Sequence, residues 1–308
     1  MSQYDRRERR NRRKTPRSPG RPKKKKLKKA PKPTRDEKAL EGVYLKAGFA
    51  DLSVRDRSLH DKGAVRMELG GKLDRDIATV FKELKALRED PQLWRKTFGD
   101  GTEELFNTGP SGENDNDKLR FQLPVALAIR CLRKSGPKEA ADALERIQAA
   151  VKDAVAVDSC GAGRVCSDMV LLISDPGCGA QLPHVDVPSL AGEELMASNI
   201  ALGAVFSLSP KGSWFDVALG TMGYKIGHSE VVCASWKLGQ GQGVLFRGDV
   251  THRGAAYKAF NLRIHVYLDT AKCKHKKARH DPVLTGPMEG ELLHWPQRDD
   301  DDDDDDDA

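Results

Sequence analysis

The chain has 308 residues, 38% apolar and 32% charged, with a formal charge of +6, and is long enough to bury a substantial core. No apolar run approaches the roughly 20 residues of a membrane-spanning helix, and the basic N-terminus is not followed by the apolar stretch of a secretory signal, so neither a membrane protein nor a secreted one is expected. Seventeen Lys/Arg against two acids give residues 1–35 a charge of +15 and the nine Asp from Asp299 to Asp307 contribute −9, which leaves residues 36–298 formally neutral as the expected folded body.

Residues 1–35 alternate Arg and Lys with Pro, Ser and Gly. They offer too little apolar surface to offset the entropy of ordering and are expected to form a disordered basic tail. Within them Lys23 to Lys29 reads KKKKLKK, the composition of a nuclear localisation signal, which favours the nucleus over the cytoplasm. The same charges would bind nucleic acid nonspecifically by neutralising phosphates; a solubilising tail is the plain alternative. Gly20-Arg21-Pro22 resembles the core of a hook that lays an Arg into the A·T minor groove.

Residues 36–157 read as a mainly helical support region. Ile77, Val80, Phe81, Leu84 and Leu87 make one apolar helical face that ends near Asp90-Pro91. A Gly/Asn/Asp-rich loop is expected from Gly99 to Asp117, then a short helix over Val125 to Leu132. A longer helix after Pro137 carries Leu144, Ile147, Val151 and Ala154 at helical spacing.

Residues 158–275 change texture. Met169 to Ile173, Ala201 to Leu208, Glu230 to Trp236, Gly243 to Phe246 and Leu262 to Leu268 are short apolar or alternating runs, separated by turn signals such as Asp175-Pro176-Gly177 and Arg247-Gly248-Asp249. Lys211 to Tyr224, with Trp214 and several Gly, reads as a loop that could face a substrate, or whose aromatics could equally be core. A C-terminal extension, 276–298, and the poly-Asp tail, 299–308, follow; the tail can compete with phosphate for the basic arm, or be simply a repelling, solvated tail. The order of helices first and strands second gives an α+β fold, with N-terminal helices buttressing a β-sandwich or jelly roll. The six cysteines form no C-x-x-C pair and are read as reduced thiols, neither a zinc site nor a disulfide framework.

Three features of the β region carry chemistry. His184 and Asp186 flank one residue, so in an extended segment both point to one face and can reach one ion; a surface pair is the plain alternative. His252 follows a buried run and the turn Arg247-Gly248-Asp249. Two imidazoles and a carboxylate form the facial triad that suits Fe(II) and leaves three adjacent positions open. In the segment Asn261 to Asp269, Ile264, Val266 and Leu268 share one face, and Asn261, Arg263, His265 and Tyr267 share the other. A guanidinium there can grip a carboxylate with two parallel bonds, or pair with a core acid.

Taken together, QLPHVD (Gln181 to Asp186) and GDVTHRGAAYKAFNLRIHVYLD (Gly248 to Asp269) resemble the Fe(II)/2-oxoglutarate-dependent oxygenase family. His252 lies 66 positions after Asp186, and Arg263 lies 11 after His252. The resemblance covers about residues 165–270. It implies a double-stranded β-helix in which His184, Asp186 and His252 hold Fe(II) and act as the catalytic centre, and Arg263 grips the far carboxylate of 2-oxoglutarate. O2 and 2-oxoglutarate would be consumed, succinate and CO2 formed, and a C–H bond oxidised. Many members carry Arg-x-Ser at the co-substrate arginine. Here His265 stands at the Ser position, either as a substitute donor or with that contact absent, and Tyr257, Tyr267 and Thr251 are all open as the residue completing the pocket.

The leading expectation is an oxygenase that hydroxylates or demethylates an intracellular protein or small molecule. A nucleic-acid base oxygenase is the alternative raised by the basic arm. A noncatalytic β-helix that presents a surface while its arm binds nucleic acid is the alternative of a different class. The substrate and the oligomeric state are not legible in the sequence.

Overall fold

A computed structural model describes Leu59, residues 63–69, 71–99, 104–105, 119–156, 164–181, 183–187, 200–219, 232–271, Cys273 and residues 281–282, all within the unit Gly48–Ala308. The expectations for the basic tail, its nuclear and hook motifs, most of the Gly99–Asp117 loop, the extension beyond residue 282 and the poly-Asp tail fall outside the described residues. No helix among the described residues is long and apolar enough to cross a membrane.

The N-terminal half begins with a strand, β1 (Ala64–Glu68), followed by helix α1 (Asp74–Glu89). The apolar face of α1 is buried through Ile77, Val80, Leu84 and Leu87, with acids in its first turn and Arg88 in its last, the polarity that suits the helix dipole. Pro91 ends that helix and also opens another: α2 (Pro91–Phe98) has Asp90 as its cap, accepting from the backbone N–H of Gln92 and of Leu93. Two further helices, α3 (Val125–Ser135) and α4 (Lys138–Ala156), bury Ala128, Ile129 and Leu132, and Leu144, Ile147 and Val151, respectively.

Between and after the helices run β2 (Glu104–Leu105), β3 (Arg120–Pro124), β4 (Val165–Ser174), β5 (His184–Val185), β6 (Leu202–Ser207), β7 (Ser213–Leu219), β8 (Val232–Leu238), β9 (Gln242–Arg247), β10 (Thr251–Gly254), β11 (Asn261–Asp269) and β12 (Asp281–Pro282). They form a seven-stranded sheet in the order β1-β9-β6-β11-β4-β3-β2 and a five-stranded sheet in the order β12-β5-β10-β7-β8. Strands β4 to β11 supply β9-β6-β11-β4 to one sheet and β5-β10-β7-β8 to the other, all antiparallel. This is the jelly-roll winding of a double-stranded β-helix.

Two features depart from the sequence reading. β1 and β3 lie in the stretch read as mainly helical, yet each pairs directly into the larger sheet, β1 on β9 and β3 on β4. The helical region therefore also extends the sheet. The second departure is Ser213–Leu219, read as part of a loop, which is strand β7, paired with β8 from Ser213↔Leu238 to Leu219↔Val232. Gly212, at φ +86°, makes the turn just before it, and Phe215 and Val217 alternate inward behind it; the turn residue masked a period-2 pattern.

The larger sheet has two unlike faces. Leu171, Ile173, Leu245, Leu262, Ile264 and Val266 pack with the helix residues Ile77, Val80, Leu84, Leu144 and Ile147 in the main core. Across the other face, Val205, Val244 and Phe246 meet Phe215 and Val217 of the smaller sheet. The space between the sheets is where the polar residues of β11 point.

Candidate metal centre

His184 on β5 stands directly opposite His252 on β10, so the two imidazoles emerge side by side, with ring centroids 4.5 Å apart. Asp186, just past the end of β5, is fixed by its backbone N–H donating to the carbonyl of Gly248 at 2.8 Å. A Cβ on Gly248 would come within 2.9 Å of Val187, so this close approach requires glycine. The turn that carries Gly248 is locked by Arg247, whose Nε and Nη2 donate to the two carboxylate oxygens of Asp249, each at 2.8 Å. Both residues are buried, and such a two-pronged pair fixes geometry as well as charge.

The three side chains converge. One donor atom from each of His184, Asp186 and His252 lies within 4.8 Å of the others, and all three residues are buried. Asp186 Oδ1 is 3.5 Å from Nε2 of His252 and 3.8 Å from Nε2 of His184. These separations are too long for hydrogen bonds and suit donors arranged around a common ion. His252 Nδ1 is 3.0 Å from the carbonyl oxygen of Val250. A carbonyl only accepts, so Nδ1 carries the proton and the Nε2 lone pair is left for a metal. Phe246 and Phe215 wall this imidazole at ring-centroid distances of 4.6 and 5.5 Å. Gly203 makes room for Phe246, because a Cβ there would overlap the ring.

The polar face of β11 borders the triad. His265 Nε2 is 3.7 Å from Asp186 Oδ2, and its ring lies 4.2 Å from that of Tyr267. The structure thus sets His265 beside the triad. Burial pushes the Tyr267 phenol well above its ordinary pKa, and the charges of Asp186 and Asp168 add to the effect; it remains an O–H donor at neutral pH. Arg263, one pleat further along and only 2% exposed, donates from Nη2 to Ser174 Oγ at 3.2 Å and lies 5.2 Å over the Tyr257 ring. Its Nε has no hydrogen-bond partner among the described residues.

Among the residues left open for the pocket, Tyr257 turns its hydroxyl to the backbone of Trp214, donating to the carbonyl and accepting from the N–H, each at 3.1 Å. It therefore offers its ring face to Arg263. Trp214, read as part of a substrate loop, sits on β7 and packs against Tyr257, Cys178 and Ala255. Arg120, from β3, is fully buried beside Arg263 and was not singled out from the sequence. It donates to Ser174 Oγ at 3.2 Å, to the Ala255 carbonyl at 2.8 Å and to the Gly179 carbonyl at 3.0 Å. Nothing in its local sequence marks it, because the partners lie 54 to 135 positions away.

The donor set suits a metal of the non-haem iron kind: two imidazoles and one carboxylate on one side of a buried site. Winding and triad together match the pattern of the Fe(II)/2-oxoglutarate oxygenases. No family model and no curated protein sequence matches the chain. Solved structures similar to it include the non-heme alpha ketoglutarate dependent carbocyclase SnoK from nogalamycin biosynthesis, at 14% identity and TM-score 0.45, covering 71% of this chain and 85% of that one. A prolyl hydroxylase from Trichoplax adhaerens, in complex with a hypoxia inducible factor oxygen degradation domain peptide fragment, is similar at 12% identity and TM-score 0.47, covering 76% and 93%. AviO1 from Streptomyces viridochromogenes Tue57 is similar at 12% identity and TM-score 0.47, covering 73% and 98%. Their activities are their own; in this chain the oxygenase pattern is carried by the donor set just described.

Proposed function

We propose that this protein is an Fe(II)- and 2-oxoglutarate-dependent oxygenase that hydroxylates, or demethylates through a hydroxymethyl product, an intracellular protein or small molecule. The observation that carries the reading is the joint placement of His184, Asp186 and His252 in one buried cluster, with Arg263 buried on the adjoining inner face of β11.

When bound, iron with its co-substrate supplies oxidative decarboxylation: 2-oxoglutarate and O2 yield succinate and CO2, and one oxygen atom enters a C–H bond of the substrate. The chain's own residues hold and orient. His184 and His252 would each offer an imidazole nitrogen, and Asp186 a carboxylate oxygen, to hold the iron. The Val250 carbonyl holds His252 in the ligating tautomer. Arg263 can receive the far carboxylate of 2-oxoglutarate on its guanidinium. Phe215 and Phe246, packed with Val205 and Val244, form an apolar wall against His252, where electrostatic interactions are less screened than in water.

Anaerobic titration of the full chain with Fe(II) and then 2-oxoglutarate tests the reading. A weak visible charge-transfer band is expected on adding 2-oxoglutarate, and its loss in His252→Ala and in Arg263→Ala. Iron binding without the band would overturn the co-substrate assignment. No metal binding at all would leave the noncatalytic β-helix as the better reading. With Lys23 to Lys29 read as a nuclear signal, nuclear proteins are the first substrates to try and nucleic acids the second.

A further inference from the structure

We infer that Ser174, held by Arg120, is the hydroxyl that completes the far-carboxylate site for 2-oxoglutarate, and that Arg120 is its positioning residue. The inference rests on the oxygenase reading and deepens it. Two residues after Arg263, where many members of the family that the sequence resembles carry Ser, this chain has His265, which lies beside Asp186. The hydroxyl is supplied instead from the neighbouring strand.

The argument is one of donors and acceptors. Ser174, at the end of β4, is fully buried. Its Oγ accepts from Arg120 Nη1 and from Arg263 Nη2, each at 3.2 Å. A hydroxyl has two lone pairs and one proton. With both lone pairs engaged, the proton must point to the remaining side, and no acceptor among the described residues takes it. Arg263 Nε is likewise without a partner among them, as is Nε2 of Gln181. The Gln181 oxygen accepts from the Gly254 N–H at 2.8 Å. A Cβ on Gly254 would run into that oxygen and come within 2.9 Å of Arg120 Nη1, so glycine lets Gln181 and Arg120 crowd together here. A buried hydroxyl proton and a guanidinium Nε on bonded neighbours, Ser174 and Arg263, both short of acceptors, make a site for an anion with several oxygens. A carboxylate takes the Ser174 proton on one oxygen and the Arg263 fork on the other.

Arg120 does not itself need to touch the ligand. It also donates to the carbonyls of Gly179 and Ala255 and to Cys178 Sγ at 3.8 Å. They fix its guanidinium, and so fix the lone pair of Ser174 that it occupies. Without Arg120, the Ser174 hydroxyl can rotate its own proton toward a protein oxygen and away from the ligand.

The test is calorimetric titration of the full chain, loaded with Mn(II) in the absence of oxygen, with 2-oxoglutarate and with 2-oxopentanoate. The second compound keeps the chelating end and lacks the far carboxylate. Ser174→Ala is expected to weaken 2-oxoglutarate by about tenfold, as for one lost hydrogen bond to a charged group, and to leave Mn(II) and 2-oxopentanoate affinities unchanged. Ser174→Cys, with a weaker donor, should fall between, and Arg120→Lys should resemble Ser174→Ala. Wild-type affinity for 2-oxoglutarate in Ser174→Ala would overturn the inference, as would an equal loss for both compounds, which would mean a structural role. If Arg263→Ala loses 2-oxoglutarate while Ser174→Ala keeps it, only this inference falls. If the wild type binds both compounds alike, the co-substrate reading falls with it.

Discussion

The two faces of β11 share nine residues of backbone and do opposite things. Outward, Leu262, Ile264 and Val266 join the helices in a continuous apolar core. Inward, Asn261, Arg263 and His265 are equally buried, but among polar groups. Burial of apolar surface is favourable without further conditions, whereas buried charge and imidazole cost free energy unless something answers them. The outward face explains why the sheet is stable. On the inward face Asn261 is answered by Ser213 and the Gly212 carbonyl, whereas Arg263 Nε has no hydrogen-bond partner among the described residues.

Removing Asp186 should separate the faces most sharply. Asp186→Ala takes away the anionic donor between the three imidazoles, and a fall in Fe(II) or Mn(II) affinity of about a hundredfold or more is expected, since loss of even an outer partner of a metal ligand costs 10- to 100-fold. Thermal unfolding of the metal-free protein should change little, because no apolar contact is lost. Calorimetric metal titration and a melting curve on the same sample check both halves. Retained metal affinity would mean that the triad is not the metal centre.

Ile264→Ala is the converse experiment on the same strand. Ile264 is fully buried, opposite Leu171 and Phe206, and truncation should cost about 2–5 kcal/mol of stability. Denaturant unfolding measures it. Metal affinity per folded molecule should be unchanged, although the altered residue is a sequence neighbour of both Arg263 and His265. A loss of metal affinity as large as that of Asp186→Ala would show that the two faces are not independent.

The same contrast explains what could be read from the sequence. The inward and outward sets of β11 were legible because period-2 alternation is local, and His184 and Asp186 because they flank one residue; His252, 66 positions on, joined them only through the chemistry of the donor set and the family resemblance. Helix α1 was legible from Ile77, Val80, Leu84 and Leu87 because their spacing is local too. Arg120 and Ser174 were not, because each is ordinary in its own segment and they meet only when β3 pairs with β4 in the register Arg120↔Ser174. β1 escaped for a similar reason: it is a strand because β9 offers it an edge. β7 escaped because a glycine turn and a tryptophan at its start drew the eye to a loop. His265 had its strand face right, yet only the packing places it against Asp186.

The smallest effect is expected at the far edge of the outward region, where α1 meets α4. Arg146 on α4 donates to Asp76 on α1 through Nη2 at 2.7 Å and Nε at 2.9 Å, and this hydrogen bonding holds the Asp76 carboxyl below its ordinary pKa against an opposing effect of burial. Because the folded-state value is the lower one, the pair's contribution is present in full above the ordinary carboxylate range and is lost as pH falls through the folded-state value. Asp76→Asn should therefore lower the melting temperature slightly near neutral pH, and the gap from wild type should narrow below about pH 4. A gap that is the same at both pH values would mean that the asparagine disturbs packing and that charge is not the cause. The effect is small because Arg146 is solvent-exposed and the pair is screened. The two helices are held by Ile77, Val80, Leu84, Leu144 and Ile147 beneath the pair. The outward region can thus spare its charges, whereas under the proposed function the inward face is expected not to spare Asp186 without losing metal affinity.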